Sequence, residues 1–145
     1  MIISSPAFID GGKIPIKYTC LGDGVNPPLT WEKIPVNSKS LVLIMDDPDA
    51  VSGVFSHWIL WDIPLVTIGV AENSVPDGAV VGQGTSGQNT YVPPCPPSGE
   101  HRYRFKLFAL DKELYLSTTT TQEELEKAMG GHILDQAILI GLFKK

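Results

Sequence analysis

The sequence predicts a mainly β domain spanning residues 1–145, and three observations carry that expectation. Glycine and proline are abundant, 14 and 12 in 145 residues, about 18% against a usual value near 12%, which implies many turns. Residues Arg102–Leu110 give the clearest pattern of period two, with Tyr103, Phe105, Leu107 and Ala109 on one side and Arg102, Arg104 and Lys106 on the other. That period of two is the mark of a strand with one buried face. The third is an uninterrupted apolar run, Leu41–Met45, which reads as a strand covered on both sides.

The other elements follow the same logic. The segment His57–Ile63 reads as a strand in which His57, Ile59, Trp61 and Ile63 share one face and Trp58, Leu60 and Asp62 the other. Between Val66 and Glu100 the chain is rich in Gly, Pro, Ser and Asn, so a long loop region with at most short strands is expected. One helix is well signalled. Thr121 can cap it, and Glu124 three residues later completes a capping box. Leu125, Ala128 and Met129 give it an apolar stripe, and Gly130-Gly131 ends it. His132 is expected to cap that end. Ala137–Phe143 reads as a last buried strand, followed by the solvated Lys144-Lys145.

Charge and composition exclude several classes of function. The formal net charge is −5 at pH 7, which argues against binding a phosphate backbone and against docking on anionic lipid by charge. Charged residues are 19% and hydrophobic ones 43%, outside the range of disordered chains. The start, Met1-Ile-Ile-Ser-Ser-Pro6, lacks the basic and apolar regions of a signal peptide. No apolar run is long enough to span a bilayer as a helix. A cytoplasmic location and free thiols at Cys20 and Cys95 are the resulting expectation, with a single disulfide as the alternative.

Four segments carry candidate chemistry. Asp46-Asp47-Pro48-Asp49 follows the buried strand, so Asp47 stands at its carboxyl end, aimed at a cleft. An EF-hand reading fails at Val51 and Ser52. His57 opens the next strand, and a carboxylate beside it would fix its tautomer and favour its charged form. His101 and Tyr103 lie two apart on one strand face, presenting a ring N–H and a phenol O–H together. In Tyr91–Pro97, Cys95 has the only backbone N–H between Pro93 and Pro97, so a stiff wall with one donor is expected there. A polyproline surface for a partner is the alternative. The chain has no Gly-x-Ser-x-Gly elbow, P-loop, HExxH or zinc spacing. No cofactor or metal is implied, and a non-enzymatic binding protein is expected.

In order along the chain, these segments resemble the phosphatidylethanolamine-binding protein family, which includes Raf kinase inhibitor proteins and short bacterial and archaeal relatives. The resemblance is carried by Asn26-Pro-Pro-Leu-Thr-Trp31, Ile34-Pro35, Lys39–Ile44, Asp47-Pro-Asp-Ala50, His57-Trp58 and Ile63-Pro64. It continues through Pro94-Cys-Pro-Pro97, His101-Arg-Tyr103, His132-Ile-Leu134 and Gly141. It implies a central antiparallel sheet packed on a smaller sheet with one or two short helices. It also implies a pocket for a small anion such as phosphate, acetate or a phospholipid head group. The pocket role carries over to Asp47, His57, His101 and Tyr103, with the Cys95 N–H as an added donor and Pro96 and Pro97 as wall. Asp47 is expected to orient and charge His57, Trp side chains to join the wall, and Asp49 to shape the loop. Val51 stands where the family usually has Pro, Pro93 where it usually has Gly, and Asp62 where Asn is common. The resemblance further allows a homodimer, and inhibition of a kinase or serine protease as the alternative function.

Overall fold

A computed structural model describes all residues, 1–145. Nine strands and one regular α-helix follow one another: β1 Ile2–Ser4, β2 Gly12–Lys13, β3 Leu29–Glu32, β4 Ser40–Asp47, β5 Phe55–Ile63, β6 Gly69–Val70, β7 Val80–Val81, β8 Glu100–Leu110, α1 Gln122–Met129 and β9 Ile133–Lys144. A short 3-10 turn covers Ile16–Tyr18. The strands form a six-stranded sheet, β2-β9-β8-β4-β5-β7, and a three-stranded sheet, β1-β3-β6. Every pairing is antiparallel except that of β2 with β9.

The large sheet is covered on both faces, which explains the unbroken apolar run in β4. On one face Leu41, Leu43 and Met45 join Trp58, Leu60, Tyr103, Phe105 and Leu107, and the small sheet adds Ile3, Leu29, Trp31 and Val70. On the other, Val42, Ile44, Ile59, Trp61, Phe108 and Leu110 pack against Leu125 and Met129 of α1. All eight residues of β4 are buried. The helix forms where its signals stand: Thr121 accepts from the Glu124 N–H, and the Glu124 side chain returns to the Thr121 backbone, a reciprocal cap that stabilises a first turn by about 1 kcal/mol.

Three expectations need correction. In β5, Leu41 pairs with Ile63 while Leu43 pairs with Leu60, so Trp61 and Asp62 together oppose one residue of β4. This bulge turns Ile63 to the face of Leu60. Asp62 adopts φ 52°, and its carboxylate accepts from the N–H groups of Leu114 and Tyr115. Strand β9 is buried on one face only, through Leu139, Gly141 and Phe143, while Ile133 and Ile138 are about half exposed. His132 does not cap α1 with its ring. Its Nδ1 lies 2.8 Å from Asp111 Oδ1, and its carbonyl accepts from the Asp111 N–H.

The thiols are not free. Cys20 and Cys95 form a disulfide across 75 positions of sequence. Neighbouring bonds hold the same two segments together: the Cys20 N–H donates to the Pro94 carbonyl, and the Tyr91 hydroxyl to the Tyr18 carbonyl. Local spacing could not reveal this pairing, because only the tertiary fold brings the 3-10 turn beside the proline-rich segment.

Candidate functional site

A cavity of about 360 Å³ opens at the carboxyl end of β4. Asp47, His57, Cys95, Pro96, His101 and Tyr103 all line it, together with Pro97. Each arrives there for a different structural reason.

Asp47 and Tyr103 belong to one face because β4 and β8 pair in simple register. Met45 opposes Phe105 and Asp46 opposes Arg104, so the next residue on β4 shares a side with Tyr103. His101 lies two residues before Tyr103 on the same face, and the two rings are 6.4 Å apart and near parallel. His57 needs a second bulge. Met45 pairs with Trp58 but Asp46 pairs with Ser56, so His57 is the additional residue. Strict alternation would have sent it to the α1 side with Ile59 and Trp61. The bulge brings its ring against Tyr103 at 5.3 Å between centroids, edge to face. Bulges recur beside functional sites because they re-aim a single side chain in this way.

The hydrogen bonds differ from the expected pairing. Asp47 Oδ2 lies 2.7 Å from Nδ1 of His101, not of His57. Asp47 Oδ1 accepts from the Asp49 N–H, which folds the Asp-Pro-Asp turn back on itself. His57 Nδ1 lies 2.7 Å from the Val92 carbonyl. A carbonyl can only accept, so this nitrogen carries a proton. Burial is the largest influence on His57 and pushes its pKa down, past the upward pulls of the Val92 carbonyl and Asp47. The expectation that Asp47 charges His57 is therefore overturned: the ring is held neutral. Tyr103 is pushed up, first by burial and then by Asp47 and Asp49, so its phenol stays protonated and able to donate.

Asp49 turns away from the cavity. Arg102 gives it two side-chain bonds, Nε and Nη2, and a backbone N–H. Those bonds, chiefly the side-chain ones, hold its carboxyl down at about 2. Arg102 is its partner on the solvent side, so Asp49 ties the loop after β4 to β8. Asp46, Asp47 and Asp49 thus point three ways and do not converge as a cation site would require.

Most of the remaining wall is apolar, with Ser52 and Thr85 adding hydroxyl side chains. Val51, Val54, Phe55, Val92 and Pro93 line the cavity. The expected Trp contribution is absent, since Trp58 lies in the core with its ring against Tyr91, 5.6 Å away. No sequence pattern points to Phe55, and Val92 falls within the Tyr91–Pro97 wall. Phe55 stacks obliquely on His57 at 4.7 Å, and the role of Val92 belongs to its carbonyl, which no residue pattern encodes. Cys95 takes part through its backbone and its disulfide, and its N–H makes no bond within the chain.

The known proteins that this chain resembles agree with this architecture. Residues 4–144 match the family described as phosphatidylethanolamine-binding protein. A UPF0098 protein of Methanothermobacter thermautotrophicus is 47% identical over 150 residues, covering 100% of this chain and 99% of its own length. A UPF0098 protein of Pyrococcus abyssi is 46% identical over 159 residues, with coverage of 100% and 86%. Among solved structures, CT736 of Chlamydia trachomatis, described as a phosphatidylethanolamine-binding protein homolog, superimposes with a TM-score of 0.95 at 42% identity, covering 99% of this chain and 97% of its own. Escherichia coli YbcL superimposes with a TM-score of 0.92 at 23% identity, with the same coverage, which speaks for the fold alone.

Proposed function

The chain belongs to the phosphatidylethanolamine-binding protein family, and from that premise and the cavity above we propose that it binds a small oxyanion of the phosphate class, free or on a head group, without turning it over. One observation supports this most. Nε2 of His57, Nε2 of His101 and the Tyr103 hydroxyl all belong to residues that line one cavity. None of the three atoms has a hydrogen-bond partner in the chain, and none is sealed away from the surface. Buried polar groups ordinarily find partners within the fold, so three left open on one cavity form a set suited to a guest with several oxygens. The apolar wall lowers the local dielectric and strengthens each of those bonds.

In this reading Tyr103 donates to an anionic oxygen and the Cys95 N–H supplies a second donor. His101 is steadied by Asp47 through Nδ1 and leaves its Nε2 open toward the same guest. Cys95 is tied in the disulfide and is no free thiol nucleophile. A small oxyanion brings only a few ligand atoms, which limits affinity to the weak range. No helix is long and apolar enough to cross a membrane.

Calorimetric titration with inorganic phosphate and with phosphoethanolamine tests the proposal. Binding that weakens about tenfold or more in His57→Ala is the expected result. Equal binding by the variant would remove His57 from the site.

A further inference from the structure

We infer that this cavity selects oxyanions that bring their own proton, such as a hydrogenphosphate or a phosphomonoester, over fully dissociated oxyanions and over phosphodiesters. The inference rests on the oxyanion reading above and adds to it a rule for which oxyanion is accepted.

The tautomer of His57 sets this preference. His57 Nδ1 is 2.7 Å from the Val92 carbonyl and must donate, because that oxygen has no proton to give. A neutral imidazole has one N–H, so Nε2 holds a lone pair. His57 is 6% exposed, on the cavity wall. The carboxylate that could have favoured a second proton is committed elsewhere: Asp47 Oδ2 to His101 and Oδ1 to the Asp49 N–H.

The cavity therefore offers an acceptor, His57 Nε2, next to a donor, the Tyr103 hydroxyl. An oxyanion with only lone pairs matches the donor and opposes the acceptor. It can enter by setting its lone pair against that of Nε2, or after His57 takes up a proton that burial disfavours. A hydrogenphosphate satisfies both groups: its P–OH donates to Nε2 while an unprotonated oxygen accepts from Tyr103. A phosphomonoester monoanion does the same. A phosphodiester has no P–OH, so it shares the defect of sulfate despite its phosphorus. A site with a fixed polar partner rejects a near-isostere that cannot complete the bond far more strongly than an apolar site rejects a change of size.

The test uses the unaltered protein at pH of about 6, where a large share of a phosphomonoester keeps its second proton. Inorganic phosphate is titrated against sulfate, and methyl phosphate against dimethyl phosphate, by calorimetry. Phosphate and methyl phosphate are expected to bind about tenfold tighter or more than their counterparts. In His57→Gln, whose amide can donate as well as accept, the preference should shrink toward equality. Equal affinity for phosphate and sulfate in the unaltered protein, with both lost in Tyr103→Phe, would keep the oxyanion site and overturn the proton rule. No binding by any of the four, or binding unchanged in Tyr103→Phe, would overturn the oxyanion reading and this inference with it.

Discussion

Asp46 and Asp47 are neighbours on one strand, yet they face opposite sides of the large sheet and do different work. Asp46 is fully buried under α1. It receives Arg104 through Nε and Nη2 and also Gln122 Nε2, and it pairs with Lys106 at 2.8 Å. Gln122 in turn accepts from the Ser56 hydroxyl and donates to Glu126. Burial opposes the Asp46 charge, but the bonds from Arg104, Lys106 and Gln122 outweigh it and hold the carboxyl below its ordinary range. Its hydrogen-bonding capacity is spent within the fold. On the other face Asp47 steadies His101, while three polar atoms around it stay unclaimed. The contrast teaches how to separate a polar network that builds the fold from one that awaits a ligand: the first closes on itself, and the second does not.

The comparison can be tested from its strongest support downward. The Asp47 side alone has a covalent staple, between the cavity wall and the 3-10 turn. Replacing Cys20 and Cys95 together by Ser frees a closure spanning 75 positions, and the chain-entropy account puts the loss at about 4 kcal/mol. Denaturant unfolding with and without a dithiol reductant measures it. An unchanged midpoint would mean that the staple contributes nothing.

Asp46→Ala is expected to cost about 3 kcal/mol, because Lys106 and Arg104 keep their charges beside an empty partner position. Asp47→Ala should cost less, about 1–2 kcal/mol, since it frees a single imidazole N–H and one turn bond. Oxyanion affinity should show the reverse order, with the Asp47 variant weakened and the Asp46 variant near wild type where it folds. Denaturation midpoints and phosphate titrations on both variants give the two rankings, and the same order in both would erase the distinction.

A smaller effect is a dependence on acid. The folded pKa of Asp46 lies below its unfolded value, about 3.9. Its contribution is therefore complete above that value and declines as pH falls through the folded one. Between pH of about 5 and 2 the protein should lose stability, and Asp46→Asn should lose less over the same interval. Thermal melts of both proteins across that range provide the comparison.

Much of this was legible along the chain, and the gaps share a cause. The alternation of β8, the covered run of β4 and the Thr121–Glu124 cap are local patterns, and each element formed where its pattern stood. The six residues expected at the site do line one cavity. The partner of each was not readable, because partners depend on register. His57 reaches Tyr103 through an extra residue in β5, visible only when β5 is counted against β4. The staple joins residues whose local sequences carry no signal for each other. Asp46 opens the acidic run after the covered strand, and its helix-side network depends on Gln122, 76 positions away.

The protonation of His57 tests the central claim most directly. Nitrogen-15 NMR of the ring in the free protein should show a protonated Nδ1 and a bare Nε2, with the Nε2 resonance moving when phosphate is added. A proton resident on Nε2 in the free protein, or a ring that does not respond to phosphate, would contradict the account.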